Sequence, residues 1–575
     1  MLSKLQEDII RNRIKDPPKD LEVYKTGTYD ITKDLDQLPD IKEATKLLHD
    51  AISNKKPIIL SIDIDCDGIT SGVVGWYSLL KIFNVPKELI KLCIGTRSEG
   101  RGVTEKIVSR VIKIVDKLEL NNIEHHDEFL LITSDHGSTD NDRYITLKHL
   151  YPKCHIIVTD HHEVEEEGYP HLADAFINTQ RPNTNFSKCI CGCATVFLLY
   201  LKTYIDYYKG SIKDFKIVMP YVSLATVVDM MSMDDMLNRY LVKEGVKIVN
   251  EEPDFNFQTM KKLLGLPDVL NFRDFSITIG PLINTGNRLG TEEFTLLSFV
   301  LEDEDKSLQC FNYINNMNKL RKAKTVDATT EATSSFEVMS IEEHGCVGII
   351  HHDVNLCGPV ASSISQIYGR PSLCLGITSN DFAVGSARTT NSIDVLNIIR
   401  TAGINLNLDI QANGHKTACG IKFRIHSPED IPNFRKEFGR LVTEELDKLS
   451  TISTGPEFVL KQDELTLDKV NEIMDIGPYG INFELPLLGT DDTMVIKSII
   501  PIKTFFKITF SLTNGESIEG MIFFKTKLSN GVNYGNFRSR IKVGCRCYVN
   551  FHLVSNFYRN KLSPSLEIVD IIPIY

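Results

Sequence analysis

From Lys55 to about Val300 the chain alternates short apolar runs with helical stretches. Ile58 to Ile64 reads as a strand before a helix over Ser71 to Ile82, and Ile90 to Ile94 as a strand before a helix over Thr104 to Lys117. Phe129 to Ser134 and His155 to Thr159 read as two further strands, with a helix over Ala194 to Ile205 behind them. Such alternation predicts a mostly parallel sheet covered by helices, in which sites form beyond the C-terminal ends of the strands. The polar strand exits are therefore the places to inspect.

On either side the pattern changes. Met1 to Asn54 is a polar leader broken at Pro17-Pro18, with a helix near Ile41 to Ile52. Glu302 to about Glu343 is rich in helix formers, Asn312 to Lys324 among them. Strands at Cys346 to Ile350, Ser372 to Leu375 and Phe382 to Gly385, with a helix over Gly358 to Tyr368, predict a second α/β domain, followed by a helical stretch near Pro428 to Leu449. Met494 to Ile574 alternates strongly, with Phe505 to Phe510, a turn at Asn514-Gly515, Met521 to Phe524 and Cys547 to Phe551. Short strands joined by Asn/Gly turns predict a small β-barrel.

Composition narrows the class. A chain of 575 residues is too long for one core and should hold roughly three or four domains. No stretch reaches the length of a membrane span, and Met1 to Arg13 lacks the apolar core of a signal peptide, which predicts a cytoplasmic protein without membrane partners. Thirteen scattered cysteines fit reduced thiols. The gaps between Cys189, Cys191 and Cys193 do not match zinc spacing, so this cluster reads as a buried small-residue segment. The net charge of −12 argues against indiscriminate nucleic-acid binding, but Lys497 to Lys561 holds eleven Lys and Arg against Glu516 and Glu519. A basic module on an acidic body suggests a polyanion guided to one surface.

Three strand exits carry the candidate chemistry. The first reads Asp63-Ile-Asp65-Cys-Asp67-Gly68, whose carboxylates, two apart in an extended strand, can converge on one point. No Lys or Arg lies between Lys56 and Lys81, so a bound cation is the natural way to neutralise them; a solvated Asp/Gly turn is the bland alternative. The second exit ends in Asp135-His136-Gly137, the third in Asp160-His161-His162, and Asp229 interrupts an apolar run. Any one of these is more often a cap or turn residue. Three together are hard to read that way.

In this order the chain resembles the DHH phosphoesterase superfamily, and within it the RecJ-type single-strand-specific exonucleases. The matching pieces are Asp63 to Gly68, Arg97-Ser-Glu-Gly-Arg-Gly102, Asp135 to Gly137, Asp160 to His162, Asn178-Thr-Gln-Arg-Pro182, Asp229 with Asn238-Arg239, Pro281 to Leu289, Gly385-Ser-Ala-Arg388 and Gly414-His-Lys-Thr-Ala-Cys-Gly420. Gly477-Pro-Tyr-Gly-Ile-Asn-Phe-Glu-Leu-Pro486 resembles the start of the family's third domain. Departures are His136 for a usual Asn, Asn287 for Gly, Thr179 for Pro and Cys419 for Ala.

The resemblance implies a leader over 1–54, a metal-binding DHH domain over 55–301, a connecting helix over 302–344, a DHH-associated substrate domain over 345–455 and an OB-like nucleic-acid-binding barrel over 456–575. It implies two divalent ions, Mn²⁺ or Mg²⁺, one on Asp67, Asp135, His161 and Asp229, the other on Asp65 and a bridging Asp135 with Asp63 nearby. His136 could then be an altered outer partner or an additional ligand. His162 would face the scissile phosphate, oriented by Asp160. Arg97, Arg288, Ser386, Arg388, Gly414 and His415 would bind substrate. In the barrel, Phe505, Phe506, Phe523, Phe524, Tyr534, Phe537, Tyr548, Phe557 and Tyr558 interleave with basic residues, and about a third of these rings could stay outward to stack bases. The expected activity is 5′-to-3′ hydrolysis of single-stranded DNA in recombination, repair or replication, with a single-strand-binding protein or helicase as partner. The alternatives are a phosphodiesterase acting on short oligonucleotides or cyclic dinucleotides, and an inactive DNA-binding scaffold.

Overall fold

The computed structural model describes residues 1–575 apart from 165, 167, 183, 338, 352, 390–392, 450–454, 503–504, 524–536, 559–560 and 575. The chain divides into two compact units, Met1–Lys319 with Ile473–Glu484, and Leu320–Glu472 with Leu485–Tyr575.

The first unit is built on five parallel strands in the order β2-β1-β3-β4-β5: β1 (Ile58–Ile62), β2 (Ile90–Ile94), β3 (Leu130–Ser134), β4 (His155–Asp160) and β5 (Ala175–Asn178). Every residue of β1 and β3 is buried, which is why both read as continuous apolar runs rather than alternating ones. Helices Ile41–Ser53, Cys66–Tyr77, Glu105–Leu120 and Gly192–Tyr208 pack on the sheet, the last of them apolar around most of its circumference. β5 is missing from the sequence expectation, because four residues ending in a polar Asn give too short a periodic signal. The helix after β1 starts five residues earlier than expected, since Asp65 caps it by accepting from the backbone N–H groups of Asp67 and Gly68 at 3.1 and 3.3 Å.

In the second unit a mixed sheet runs β6-β7-β8-β10-β9: β6 (Val347–Ile350), β7 (Ser372–Ile377), β8 (Phe382–Arg388), β9 (Ile410–His415) and β10 (Ala418–Arg424). Only β6 and β7 are parallel; the other neighbours are antiparallel. The helices Val395–Leu406 and Asp430–Leu449 cover one face. The helix Glu304–Thr333 spans the junction between the units in sequence.

The remaining strands are β11 (Phe458–Leu460), β12 (Leu488–Thr490), β13 (Met494–Ile502), β14 (Phe505–Ser511), β15 (Ser517–Phe523), β16 (Arg546–Tyr558) and β17 (Lys561–Ile574). β13, β14 and β15 form an antiparallel meander, β15 pairs with β17 in parallel, β17 pairs antiparallel with β16, and β16 returns to β13. That circuit closes a five-stranded barrel with the strand order of an OB-fold. Phe506 and Phe537 stack at 4.7 Å and are buried, whereas Tyr548 and Phe557 remain 44% and 37% exposed. Lys503, Phe524, Lys525, Lys527, Tyr534 and Arg559, and the side chains of Phe523, Arg538 and Tyr558, lie outside the described residues.

Closure depends on β15 approaching β17, and Gly520 sits there against Leu566 and Ile568. A Cβ at Gly520 would fall 2.8 Å from Ile568 Cδ1 and 3.1 Å from Leu566 Cβ. Gly520→Val should destabilise the barrel by about 1–3 kcal/mol through overpacking. Urea denaturation followed by Tyr fluorescence checks this; an unchanged midpoint would mean that the strands separate at no cost.

Candidate metal centre

Because all five strands of the first sheet are parallel, their C-terminal ends share one edge. Ile62 pairs with Ser134, and Ser134 with Thr159. Asp63, Asp135 and Asp160 therefore stand in one row, each a residue beyond those positions. Asp135 adopts a left-handed backbone (φ +68°) with its N–H on the carbonyl of Thr159 at 3.0 Å, so the chain turns sharply there.

Asp63, Asp65 and Asp67 do not converge through strand periodicity. β1 ends at Ile62, and Asp67 already lies in the first turn of the following helix. The turn brings the carboxylates to two neighbouring places: oxygens of Asp63, Asp65 and Asp135 lie within 4.8 Å of one another, as do ligand atoms of Asp67, His161 and Asp229. A third overlapping group joins Asp135, His161 and His162. The His161 Nε2 is 3.3 Å from Asp135 Oδ1, 3.5 Å from Asp229 Oδ2 and 3.6 Å from Asp67 Oδ2. Gly68 permits the turn, since a Cβ there would lie 2.4 Å from the carbonyl oxygen of Asp63.

The Asp67 carboxylate is held by the start of the helix Gly192–Tyr208, with backbone N–H groups of Gly192 and Cys193 donating at 2.7 and 2.8 Å. A helix N-terminus presents unpaired donors and a positive dipole end, which suits a buried carboxylate. Gly192 is also pressed against Asp135, whose Oδ1 would lie 2.3 Å from a Cβ. The buried small-residue segment at Cys191 to Cys193 thus grips Asp67 with its backbone and packs Gly192 against Asp135, while Cys189 is exposed.

Burial and the adjacent Asp65 push the Asp63 carboxyl up to about 7 and that of Asp67 up to about 6. Burial followed by neighbouring carboxylates holds Asp135 and Asp229 well above the usual range. Asp135 Oδ1 and Asp229 Oδ2 are buried and accept no hydrogen bond. Orphaned anionic oxygens facing an imidazole nitrogen are the arrangement that a divalent cation satisfies, and the donor set of carboxylates and histidine suits Mn²⁺ or Mg²⁺. The residues fit such ions.

Desolvation works to raise Asp160, yet the charge of His162 and its hydrogen bond outweigh it and hold this buried carboxyl below the usual range. It accepts from His162 Nδ1 at 2.8 Å and from the backbone N–H groups of His161, His162 and Ser138. Against the opposing effect of burial, the same contact raises His162 to about 10, although half of that ring faces solvent and water weakens the effect. Asn178, at the end of β5, donates to the carbonyl of His162 at 3.0 Å and to Ser138 Oγ at 2.9 Å. His136 is not in any of the three ligand groups found among the described residues. Burial lowers it to about 4, and its Nε2 donates to the carbonyl of Ser61 at 3.0 Å, tying β1 to the second exit.

The other expected residues are spread over both units. Arg97 is half-buried in the turn after β2, its backbone N–H on Glu292 Oε1, while Arg101, four residues on, is the arginine whose charge bears on Asp63. Glu99 between them takes both guanidinium nitrogens of Arg110 at 2.7 and 2.8 Å. Arg288 lies in the short helix Thr285–Leu289, behind Asn284, which accepts from the N–H of Cys66 at 2.9 Å. In the second unit Arg388 and His415 flank Ala418 in one row of the sheet, and Ser386 stands two residues before Arg388 on the same strand face. Gly414 has φ +133°, and a Cβ would meet the carbonyl of Ala418 at 2.7 Å, so its lack of a side chain serves strand pairing. The side chain of His415 lies outside what is described.

A parallel sheet with Asp, Asp-His and Asp-His-His at adjacent exits defines a DHH domain, and residues 57–226 match the DHH family, N-terminal domain. Residues 457–570 match the RecJ OB domain, over the region where the barrel closes. The chain thus carries a DHH domain and a RecJ OB domain, and over most of its length it is similar to RecJ proteins. It is 24% identical over 519 residues to the "Single-stranded-DNA-specific exonuclease RecJ" of Haemophilus influenzae, covering 84% of this chain and 85% of that one. With the protein of that name from Escherichia coli it is 23% identical over 514 residues, covering 85% and 84%. The crystal structure of RecJ from Thermus thermophilus in complex with Mn²⁺ superposes with a TM-score of 0.68 over all of this chain and 79% of that one, at 18% identity.

The raised carboxyls carry a pH signature. A carboxyl whose folded-state pKa lies above its ordinary value of 3.8 stabilises the fold below that value and loses the contribution as pH rises through 6 to 7. In EDTA the melting temperature should therefore fall between about pH 4 and 7, and Mn²⁺ should restore it increasingly as pH rises. Scanning calorimetry with and without Mn²⁺ checks both; equal curves in both conditions would contradict the site.

Proposed function

We propose that this chain is a metal-dependent exonuclease that hydrolyses phosphodiester bonds of single-stranded DNA from the 5′ end. The observation that carries it is the place of Asp135, whose carboxylate belongs at once to the group with Asp63 and Asp65 and to the group with His161 and His162. One carboxylate shared in this way suits a pair of ions, held by Asp67, Asp135, His161 and Asp229 on one side and by Asp65 and Asp135, with Asp63 beside them, on the other. When bound, such ions lower the pKa of a water and offset charge on the attacking and leaving oxygens of a phosphoryl group.

The protein's own groups do the positioning. Asp160 accepts from Nδ1 of His162, which directs Nε2 to the substrate side as a donor to the phosphate or the leaving oxygen. The N–H groups of Gly192 and Cys193 keep Asp67 aimed at its site without occupying a side chain. Arg97 and Arg288, and in the second unit Ser386, Arg388, Gly414 and His415, are the proposed phosphate contacts.

Single-stranded DNA rather than a dinucleotide is favoured by the OB barrel. Exposed Tyr548 and Phe557 offer stacking faces, and Lys497, Arg540, Lys542, Arg546 and Lys561 are exposed cations on the same module. Relatives bear the name of single-strand-specific exonucleases over most of this chain. Because duplex DNA must be opened first, a helicase or single-strand-binding protein is the partner class such a substrate requires. Among the described residues no helix is long and apolar enough to cross a membrane, and the setting proposed is the cytoplasm of a bacterial-type or phage-infected cell.

Asp135→Ala or Asp229→Ala should abolish Mn²⁺-dependent release of nucleotides from end-labelled single strands while circular dichroism stays native; undiminished release would refute the site. Truncation after Thr490 should spare cleavage of dinucleotides and cripple that of long strands. Equal loss on both would favour a small-substrate phosphodiesterase.

A further inference from the structure

The chain leaves the first unit after Lys319, yet Ile473–Glu484 belongs to that unit. This strap is held by Arg239, a fully buried arginine on the helix Met236–Glu251. Its guanidinium donates to the carbonyls of Ile476, Gly477 at 3.2 Å and Pro478 at 3.1 Å, and to that of Met233 at 2.9 Å. It also lies 4.8 and 4.3 Å from the ring centroids of Tyr24 and Phe483. No carboxylate among the described residues pairs with it. Its charge is balanced by backbone carbonyls and ring faces, an expensive way to bury a cation for packing alone.

The strap's other contacts fall on the chain just after Asp229. Met233 donates its N–H to the carbonyl of Ile481 at 2.8 Å, and the Asn482 amide donates to Ser232 Oγ at 2.8 Å. The Ser232 carbonyl in turn accepts from Asn238, whose amide also donates to the carbonyl of Cys189 at 2.7 Å. Cys189 opens the segment whose Gly192 and Cys193 N–H groups hold Asp67. Two routes therefore run from the strap to the carboxylates, one through residues 230–233 to Asp229 and one through Asn238 to Asp67.

We infer that the strap Ile473–Glu484, locked by Arg239, sets the positions of Asp229 and Asp67, so that metal affinity in the first unit depends on a segment contributed from far along the chain. This rests on the metal reading above. Arg239 and Asn482 are positioning residues; neither lies among the ligand groups.

The test is Mn²⁺ binding by the full chain, read by electron paramagnetic resonance well below the melting temperature, together with kcat and KM on a single-stranded oligonucleotide. Asn482→Gly suits the left-handed backbone at that position (φ +61°) and removes only the amide, so the fold should survive. It should bind Mn²⁺ about 10-fold more weakly, and Arg239→Met roughly 10- to 100-fold more weakly, as loss of an outer partner does. In both, kcat should fall while KM for the oligonucleotide stays put. A merely structural strap would lower the melting temperature and leave the Mn²⁺ affinity of the folded protein unchanged, and that result in Asn482→Gly overturns the inference alone. Failure of the wild-type chain to bind Mn²⁺ overturns the metal reading and this inference with it.

Discussion

Five carboxylates held together at the edge of a parallel sheet are the constraint on which the first unit depends. Two unit charges some 4 Å apart repel by about 4 kcal/mol at the effective dielectric of a protein near its surface, and several such pairs exceed a domain's net stability. Protonation relieves the repulsion at acid pH, which is the meaning of carboxyls lifted to about 6 and 7 at Asp67 and Asp63. Near neutrality the remedy left is a cation. The fold supplies partial substitutes in the backbone N–H groups of Gly192 and Cys193 and the imidazole of His161, and they leave Asp135 Oδ1 and Asp229 Oδ2 unsatisfied.

How the sheet gathers these groups follows from its parallel order. Adjacent strands end in register, so residues 72 and 25 positions apart, Asp63 with Asp135 and Asp135 with Asp160, become neighbours without a long loop. Glycine enters where a side chain would collide: Gly68 under the Asp63 carbonyl and Gly192 against Asp135. His136 shows how a departure is absorbed. Its ring reaches back to Ser61 and braces β1, doing from outside the carboxylate groups what a ligand would do from within.

Four strands of the first sheet, three of the second and the alternating barrel were legible in the sequence because buried parallel strands and alternating barrel strands have distinct apolar signatures, whereas β5, β9 and β10, short or interrupted by Gly and polar residues, were not. Asp67, Asp135, His161 and Asp229 were visible as polar residues ending or breaking apolar runs, and the structure brings them together. Strand periodicity does not gather Asp63, Asp65 and Asp67: a strand-to-helix turn, with Asp65 as cap, divides them between two groups. Gly192 and Cys193 act through backbone donors and leave no side-chain signature. Arg101 was hidden beside Arg97 in one motif, and Asn178 at the end of a strand too short to predict. Arg239 lies more than 230 residues from the carbonyls of Ile476 to Pro478 that it binds. Local pattern cannot reveal such a pairing.

Crystals grown with Mn²⁺ and measured at the manganese absorption edge address the central claim most directly. Two anomalous peaks are predicted, one among Asp67, Asp135, His161 and Asp229 and a second beside Asp65 and Asp135, with Asp135 touching both. A map empty at this edge of the sheet, or ordered density for a Lys or Arg side chain neutralising the carboxylates in place of metal, would contradict the account.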